Sequence, residues 1–220
     1  MMFFERLINE TAGAREKMLQ APIIGNCLAG NITLDQYTAF LSQAYHHVKH
    51  TVPLLMACGS RLPANYEWLR EAIAEYIDEE KGHQQWILND LRACGCDSDL
   101  TEFGHPGRDI ELMTSYLYHQ IDRQNPIGFF GMVWVLEGTS VGIGGQIAKQ
   151  VRDILALPNS ALTYLSSHSE LDQDHIQFFA EIVNKIDSVE DQNAIIASAN
   201  MVFHLYGNML RSLPGEYNGR

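Results

Sequence analysis

From Gln124 to Ala148 the chain carries a single charged residue, Glu137, and this run constrains the fold more than any other segment. It is long enough for a membrane-spanning helix, which needs about 20 apolar residues. It also holds Asn125, Pro126, Thr139, Ser140, Gln146 and six glycines. A helix buried in the core of a folded protein accommodates that content better than lipid does. An ionised carboxylate enclosed in such a core must be neutralised, paired or bound to a cation. Glu137 is therefore the point of interest, with a salt bridge to a distant Arg or Lys as the plain alternative.

The remaining pattern is helical throughout, with no convincing strand alternation and no repeat. A first amphipathic helix is expected from about Phe3 to Leu19, stopping before Pro22. Thr33 offers an N-cap to a second, marked by Leu34, Tyr37, Phe40, Leu41, Ala44, Tyr45 and Val48. That helix is expected to kink at Pro53 and continue to about Ala57. A third is read from Tyr66 to Cys94, ending at Gly95. Asp97 to Arg108 reads as a loop that could cover a pocket. Further helices are expected over Asp109–Arg123, from Asn125-Pro126 onward, up to Ile186, and from a capping-box-like Ser188-Val189-Glu190-Asp191 to just before Pro214. Seven helices with short connections predict an all-α bundle, a single domain over residues 1–220.

With 220 residues, 46% of them hydrophobic, the chain can bury a substantial core. A formal net charge of −12 argues against nucleic acid or an anionic membrane as partner. Glu5 and Arg6 interrupt the apolar start, so no secretory signal is expected. Cys27, Cys58, Cys94 and Cys96 give no CxxC pair and read as free thiols of a cytoplasmic protein. Gly142-Ile143-Gly144-Gly145 follows no strand and fits a bend or a close helix approach rather than a nucleotide loop.

Two more helices place polar groups where packing alone would ask for apolar ones. The third helix carries Glu80 and His83, three apart and so on one face. A carboxylate and an imidazole at that spacing is how helical bundles present ligands to one metal, although a solvated acidic face is the plainer alternative. The sixth helical region carries His168, Asp172 and His175, whose offsets keep them within roughly 60° of one another. Leu171, Ile176, Phe179 and Ile182 lie beside them, which turns the stripe inward. With Glu137, the three helices offer three carboxylates and three imidazoles. That set suits iron or manganese and exceeds what one zinc needs, so a bridged pair of iron ions is the natural reading.

The set Glu80/His83, Glu137 and His168-x3-Asp172-x2-His175 resembles the ligand pattern of the heme-oxygenase-like diiron oxidases. That superfamily shares its fold with heme oxygenase and with the thiaminase-type (TenA-like) and pyrroloquinoline-quinone-synthase-type enzymes. The resemblance covers most of the chain, from the second helix to the seventh. It implies a bridging carboxylate from Glu80 or Glu137, terminal ligands His83, His168 and His175, and Asp172 as the remaining carboxylate. It also implies two irons, the second often weakly held, and dioxygen as co-substrate. Some members take the first carboxylate seven residues before the histidine, a place held here by Tyr76; Glu80 is adopted, with Glu79 in reserve.

Three functions compete. The first is an iron-dependent oxidoreductase acting on a small organic substrate of the amino-acid, amine or fatty-acid class. The second is a metal-free enzyme of the thiaminase or quinone-cofactor-synthase type, with Glu137 and the histidines moving protons. The third is a non-catalytic iron-binding bundle. Heme oxygenase itself is disfavoured, because its iron-ligating histidine lies in the first helix and no histidine occurs in the first 45 residues. His46 and His50 on the second helix, and Trp134 on the apolar helix, are candidates for the substrate pocket. A homodimer is the expected assembly.

Overall fold

The computed structural model describes residues 2–214; the side chains of residues 168–175 lie outside the described set. Among the described residues there are twelve α-helices and no strand: α1 Phe3–Leu19, α2 Pro22–Leu28, α3 Leu34–Val48, α4 Thr51–Arg61, α5 Glu67–Glu80, α6 His83–Ala93, α7 Ser98–Glu102, α8 Arg108–Arg123, α9 Phe130–Thr139, α10 Gly145–Leu155, α11 Thr163–Val183 and α12 Val189–Ser212. The all-α class is as the periodicity indicates. The higher helix count has local causes.

Two of the expected long helices are interrupted. Gly82 has φ +90°, a left-handed backbone, and divides the third expected helix into α5 and α6. The second breaks at Lys49–His50, so Pro53 is the third residue of α4. There its missing N–H costs nothing, because the first four amides of a helix lack intrahelical partners. Pro22 opens α2 rather than merely ending α1, occupying the first helical position. The expected loop from Asp97 contains α7, capped by the Asp97 carboxylate accepting from Asp99 N at 3.1 Å. This segment is pinned to α3, with Gly107 N donating to Gln43 Oε1 at 2.8 Å.

The caps behave as their chemistry dictates. Thr33 and Gln36 form a reciprocal box, with Gln36 N donating to Thr33 Oγ1 and Thr33 N to Gln36 Oε1. Ser188 accepts from Asp191 N at 3.2 Å without the reciprocal bond of a box. The Asp191 carboxylate instead receives Tyr66 OH at 2.5 Å and Asn125 Nδ2 at 2.6 Å, tying the start of α12 to two other junctions.

The apolar run forms the spine. Pro126–Leu155 is helical over 30 residues: a 3₁₀ turn at Pro126–Phe129, then α9, a π-helical turn at Ser140–Gly144, and α10. It passes for a membrane span by length and composition, but 61% of its most apolar window is buried inside the molecule, as a core helix requires. Phe130 through Val135 are all buried, so α9 has no solvent face, and α12, α11 and the 3₁₀ turn pack around it. Phe129, Phe130, Phe179 and Phe203 are fully enclosed in this core, each contributing about 1.5–3 kcal/mol of burial free energy. A second apolar cluster joins α3 and α6 through Leu41, Tyr45, Ile87 and Leu91.

Candidate functional site

The break at Gly82 leaves Glu80 as the last residue of α5 and His83 as the first of α6. Their spacing survives it: His83 Nδ1 lies 3.0 Å from Glu80 Oε2, with both side chains largely buried. The Trp86 ring stacks on the His83 imidazole at 3.9 Å between centroids and limits its rotation. Glu79, by contrast, is exposed. Forcing an alanine into the Gly82 conformation is expected to cost about 1–2 kcal/mol and to disturb the Glu80–His83 contact. Urea unfolding of Gly82→Ala checks the first effect.

Glu137, on α9, is 8% exposed. Glu80 and Glu137 line the same cavity, about 180 Å³ in volume, together with Tyr76, His47, Ser140 and Tyr206. The rest of its wall is mainly aliphatic, and among the described lining residues there is no Lys or Arg. The π-helical turn begins three residues after Glu137 and contributes Ser140, Ile143 and Gly144 to the wall. Such wide turns recur at functional sites because they re-aim side chains out of a helical register. Tyr76, seven residues before His83, faces this cavity, and burial raises the Tyr206 phenol far above its ordinary value.

Three expected pocket residues are elsewhere. Trp134 Nε1 donates to Thr11 Oγ1 at 3.0 Å, and its ring stacks on Phe179, on the face of α9 turned toward α1. His46 is buried outside the cavity, with Lys49 Nζ donating to its Nδ1 at 3.3 Å. Burial first, then the Lys49 charge, lowers its imidazole to about 4, so it is neutral at ordinary pH. His50 Nδ1 lies 3.1 Å from Tyr118 OH, at the α3–α4 break. His47 is the histidine of this helix that faces the cavity, its ring edge-on to Tyr206 at 5.6 Å. His47 is two turns after Phe40, which lines the same cavity. The Asp97–Arg108 segment contributes nothing to the cavity wall.

His168, Asp172 and His175 belong to α11, but their side chains lie outside the described residues. Tyr164 and Leu165, at the start of the same helix, line the cavity. Among the described residues no three His, Cys, Asp or Glu side chains are gathered closely enough to hold an ion by themselves. The Glu80–His83 separation fits one: two donors each about 2.1 Å from an ion, at a right angle, stand roughly 3 Å apart.

A model of the iron-containing redox enzyme family matches residues 38–207. The chain belongs to the iron-containing redox enzyme family. The matched span runs from α3 to α12 and includes every candidate site residue named above. Among solved structures, a domain of unknown function with a heme oxygenase-like fold from Shewanella denitrificans is 22% identical, with TM-score 0.86, covering 96% of this chain and 91% of that one. A TenA homologue from Pseudomonas syringae is 11% identical, TM-score 0.80, covering 94% and 90%. Heme oxygenase from Leptospira interrogans is 14% identical, TM-score 0.77, covering 97% and 100%. No curated protein matches. At these identities the likeness establishes the heme oxygenase-like fold, and family membership rests on the family match.

Proposed function

We propose that this member of the family is a non-heme iron oxidase that holds two irons at the polar end of the cavity and oxidises a small, largely apolar organic molecule with dioxygen. The observation that carries this is the convergence of Glu80 and Glu137, from separate helices, on one cavity, with His83 in contact with Glu80. Glu80, His83 and Glu137 would hold the metal together with His168, Asp172 and His175 from α11. Hard carboxylates with borderline imidazoles suit iron. When bound, the iron pair supplies the electrons that reduce dioxygen.

The chain's own residues have separable tasks. Trp86, stacked on His83, orients the imidazole and shields it from water. The aliphatic wall excludes solvent and takes the body of the substrate. His47, Tyr76 and Tyr206 are placed to move or hold a proton at the imidazole nitrogens and phenol oxygens that face the cavity. Heme fits poorly: α1 and α2 contain no histidine, and the cavity of about 180 Å³ is little larger than the roughly 150 Å³ that houses benzene, too small for a tetrapyrrole.

The test is anaerobic titration of the metal-free protein with ferrous iron, followed by dioxygen, with optical and Mössbauer detection. Uptake near two irons per chain is expected. His83→Ala and His168→Ala are each expected to reduce uptake to about one iron or fewer while leaving helical content unchanged. A protein that takes up no iron moves the function to metal-free acid–base catalysis in the same cavity, with Glu137 as the proton-transfer group.

A further inference from the structure

Among the described residues Asp90 is the most deeply buried carboxylate, at 0% exposure, and it lies outside the wall of the cavity that Glu80 and Glu137 share. It sits on α6, seven residues and so two turns after His83. Both carboxylate oxygens point at the first residues of α11. Oδ1 accepts from Thr163 N at 3.0 Å and from Thr163 Oγ1 at 2.5 Å; Oδ2 accepts from Tyr164 N at 2.9 Å. The residue in the N-cap position of α11 is Leu162, which has no side-chain acceptor. Asp90 thus caps α11 from a different helix, satisfying amides that would otherwise be buried without a partner. Its negative charge also opposes the positive end of the helix dipole. Tyr37, on α3, closes the same junction by donating its hydroxyl to Ala161 O at 2.7 Å.

We propose that Asp90 is a positioning residue for the functional site, fixing α11 to α6 so that the ligand-bearing parts of the two helices keep one register. The reasoning is metric. His83 lies seven residues from Asp90, and His168 and Asp172 lie five and nine residues from Thr163. At 1.5 Å per residue all three stand about 7–14 Å of helix from one shared fixed point. The helices pack against each other, and Tyr164, whose amide Asp90 holds, lines the cavity itself. A buried carboxylate is an expensive way to join two helices, since an apolar pair would pack as well. What it supplies that apolar contact does not is direction: three hydrogen bonds fix rotation and translation of α11, where apolar surfaces can slide.

The proposal rests on the iron-site reading for one of its two measurements only. Full-length wild type, Asp90→Ala, Asp90→Asn and a control, Asp191→Ala, are compared by ferrous-iron titration and by amide hydrogen exchange. Asp90→Ala is expected to speed exchange in the first turn of α11 at least about tenfold while α12 is unchanged. Its iron affinity is expected to fall about 10–100-fold, as removal of a group that supports metal ligands does. Asp90→Asn, which keeps one acceptor oxygen, recovers part of both. Asp191→Ala, which breaks the junction of Tyr66 and Asn125 with α12, lowers the melting temperature without changing iron affinity. Wild-type iron affinity in Asp90→Ala, with only a lowered melting temperature, overturns the proposal. If wild type binds no iron, the iron reading fails by itself. Exchange confined to the start of α11 then still supports the positioning role, and exchange raised evenly across the helices overturns it. Should Asp90→Ala not fold, Thr163→Val deletes only the hydroxyl bond; a threefold to tenfold loss of affinity, about one hydrogen bond's worth, is expected, and no loss overturns the proposal.

Discussion

Replacing Glu137 by leucine is expected to abolish ordinary iron binding and to leave the protein folded and helical. The two halves of this result have different causes. Glu137 is enclosed on α9, between residues that are nearly all apolar, and a carboxylate there gives up several kcal/mol of hydration. Leucine has similar volume and suits the apolar surroundings, so α9 stays packed, and any change in melting temperature reports the polar contact that the carboxylate gives up. On the proposed reading, the metal site loses a ligand that the other helices cannot replace. Affinity should fall by more than the 10–100-fold typical of changes one shell further out. Calorimetric melting and anaerobic ferrous titration measure the two halves separately. A variant that still takes up about two irons shows the ligand assignment to be wrong. A variant that melts far below wild type shows Glu137 to belong to a polar network that the fold itself requires.

The largest loss of stability is expected from a residue with no chemistry, Gly131. A methyl group added there would stand 2.5 Å from Ala199 N and 2.6 Å from Ile195 O, both backbone atoms of α12. Backbone in a packed helix cannot step aside, so Gly131→Ala must push α9 and α12 apart. Overpacking a well-filled core costs about 1–3 kcal/mol, and rigid neighbours place this case at the upper end. For a chain of this size about 3 kcal/mol corresponds to a fall of roughly 6–12 °C in melting temperature. Gly142→Ala is the contrast. Its methyl would meet only the end of the Arg15 side chain, which can rotate away, and the expected cost is within about 0.5 kcal/mol. Thermal unfolding of the two variants side by side tests whether helix approach, rather than glycine content, is what matters in this run. Because α9 also carries Glu137, a displaced helix in Gly131→Ala should weaken iron binding as well.

Much of this was legible in the chain. The uninterrupted apolar content around Glu137 determined that its helix would be a core helix, because no amphipathic face exists for it to turn outward. The N-cap at Thr33, the cap at Ser188 and the Asn125-Pro126 start were also readable, since caps are local chemistry. Glu80 and His83 meet as their spacing indicates, but by another route. Gly82 breaks the helix between them, and a glycine in a helical pattern does not announce whether it will turn. The choice among His46, His47 and His50 depended on which way α3 rolls against α6, and neighbouring residues on a helix differ by only about 100°. Rotation of a helix is set by its partners, so only the assembled bundle could select His47. Asp90 was silent in the sequence, an acidic residue in a helix like many others. What makes it distinctive is that the start of α11, more than 70 residues later, has no cap of its own and folds back onto it. Helix class, caps and buried charge follow from spacing along the chain, because those interactions reach only a turn or two. Which carboxylates share a cavity, and which one locks two helices together, follows from contacts between segments far apart in sequence, and these exist only once the helices have packed.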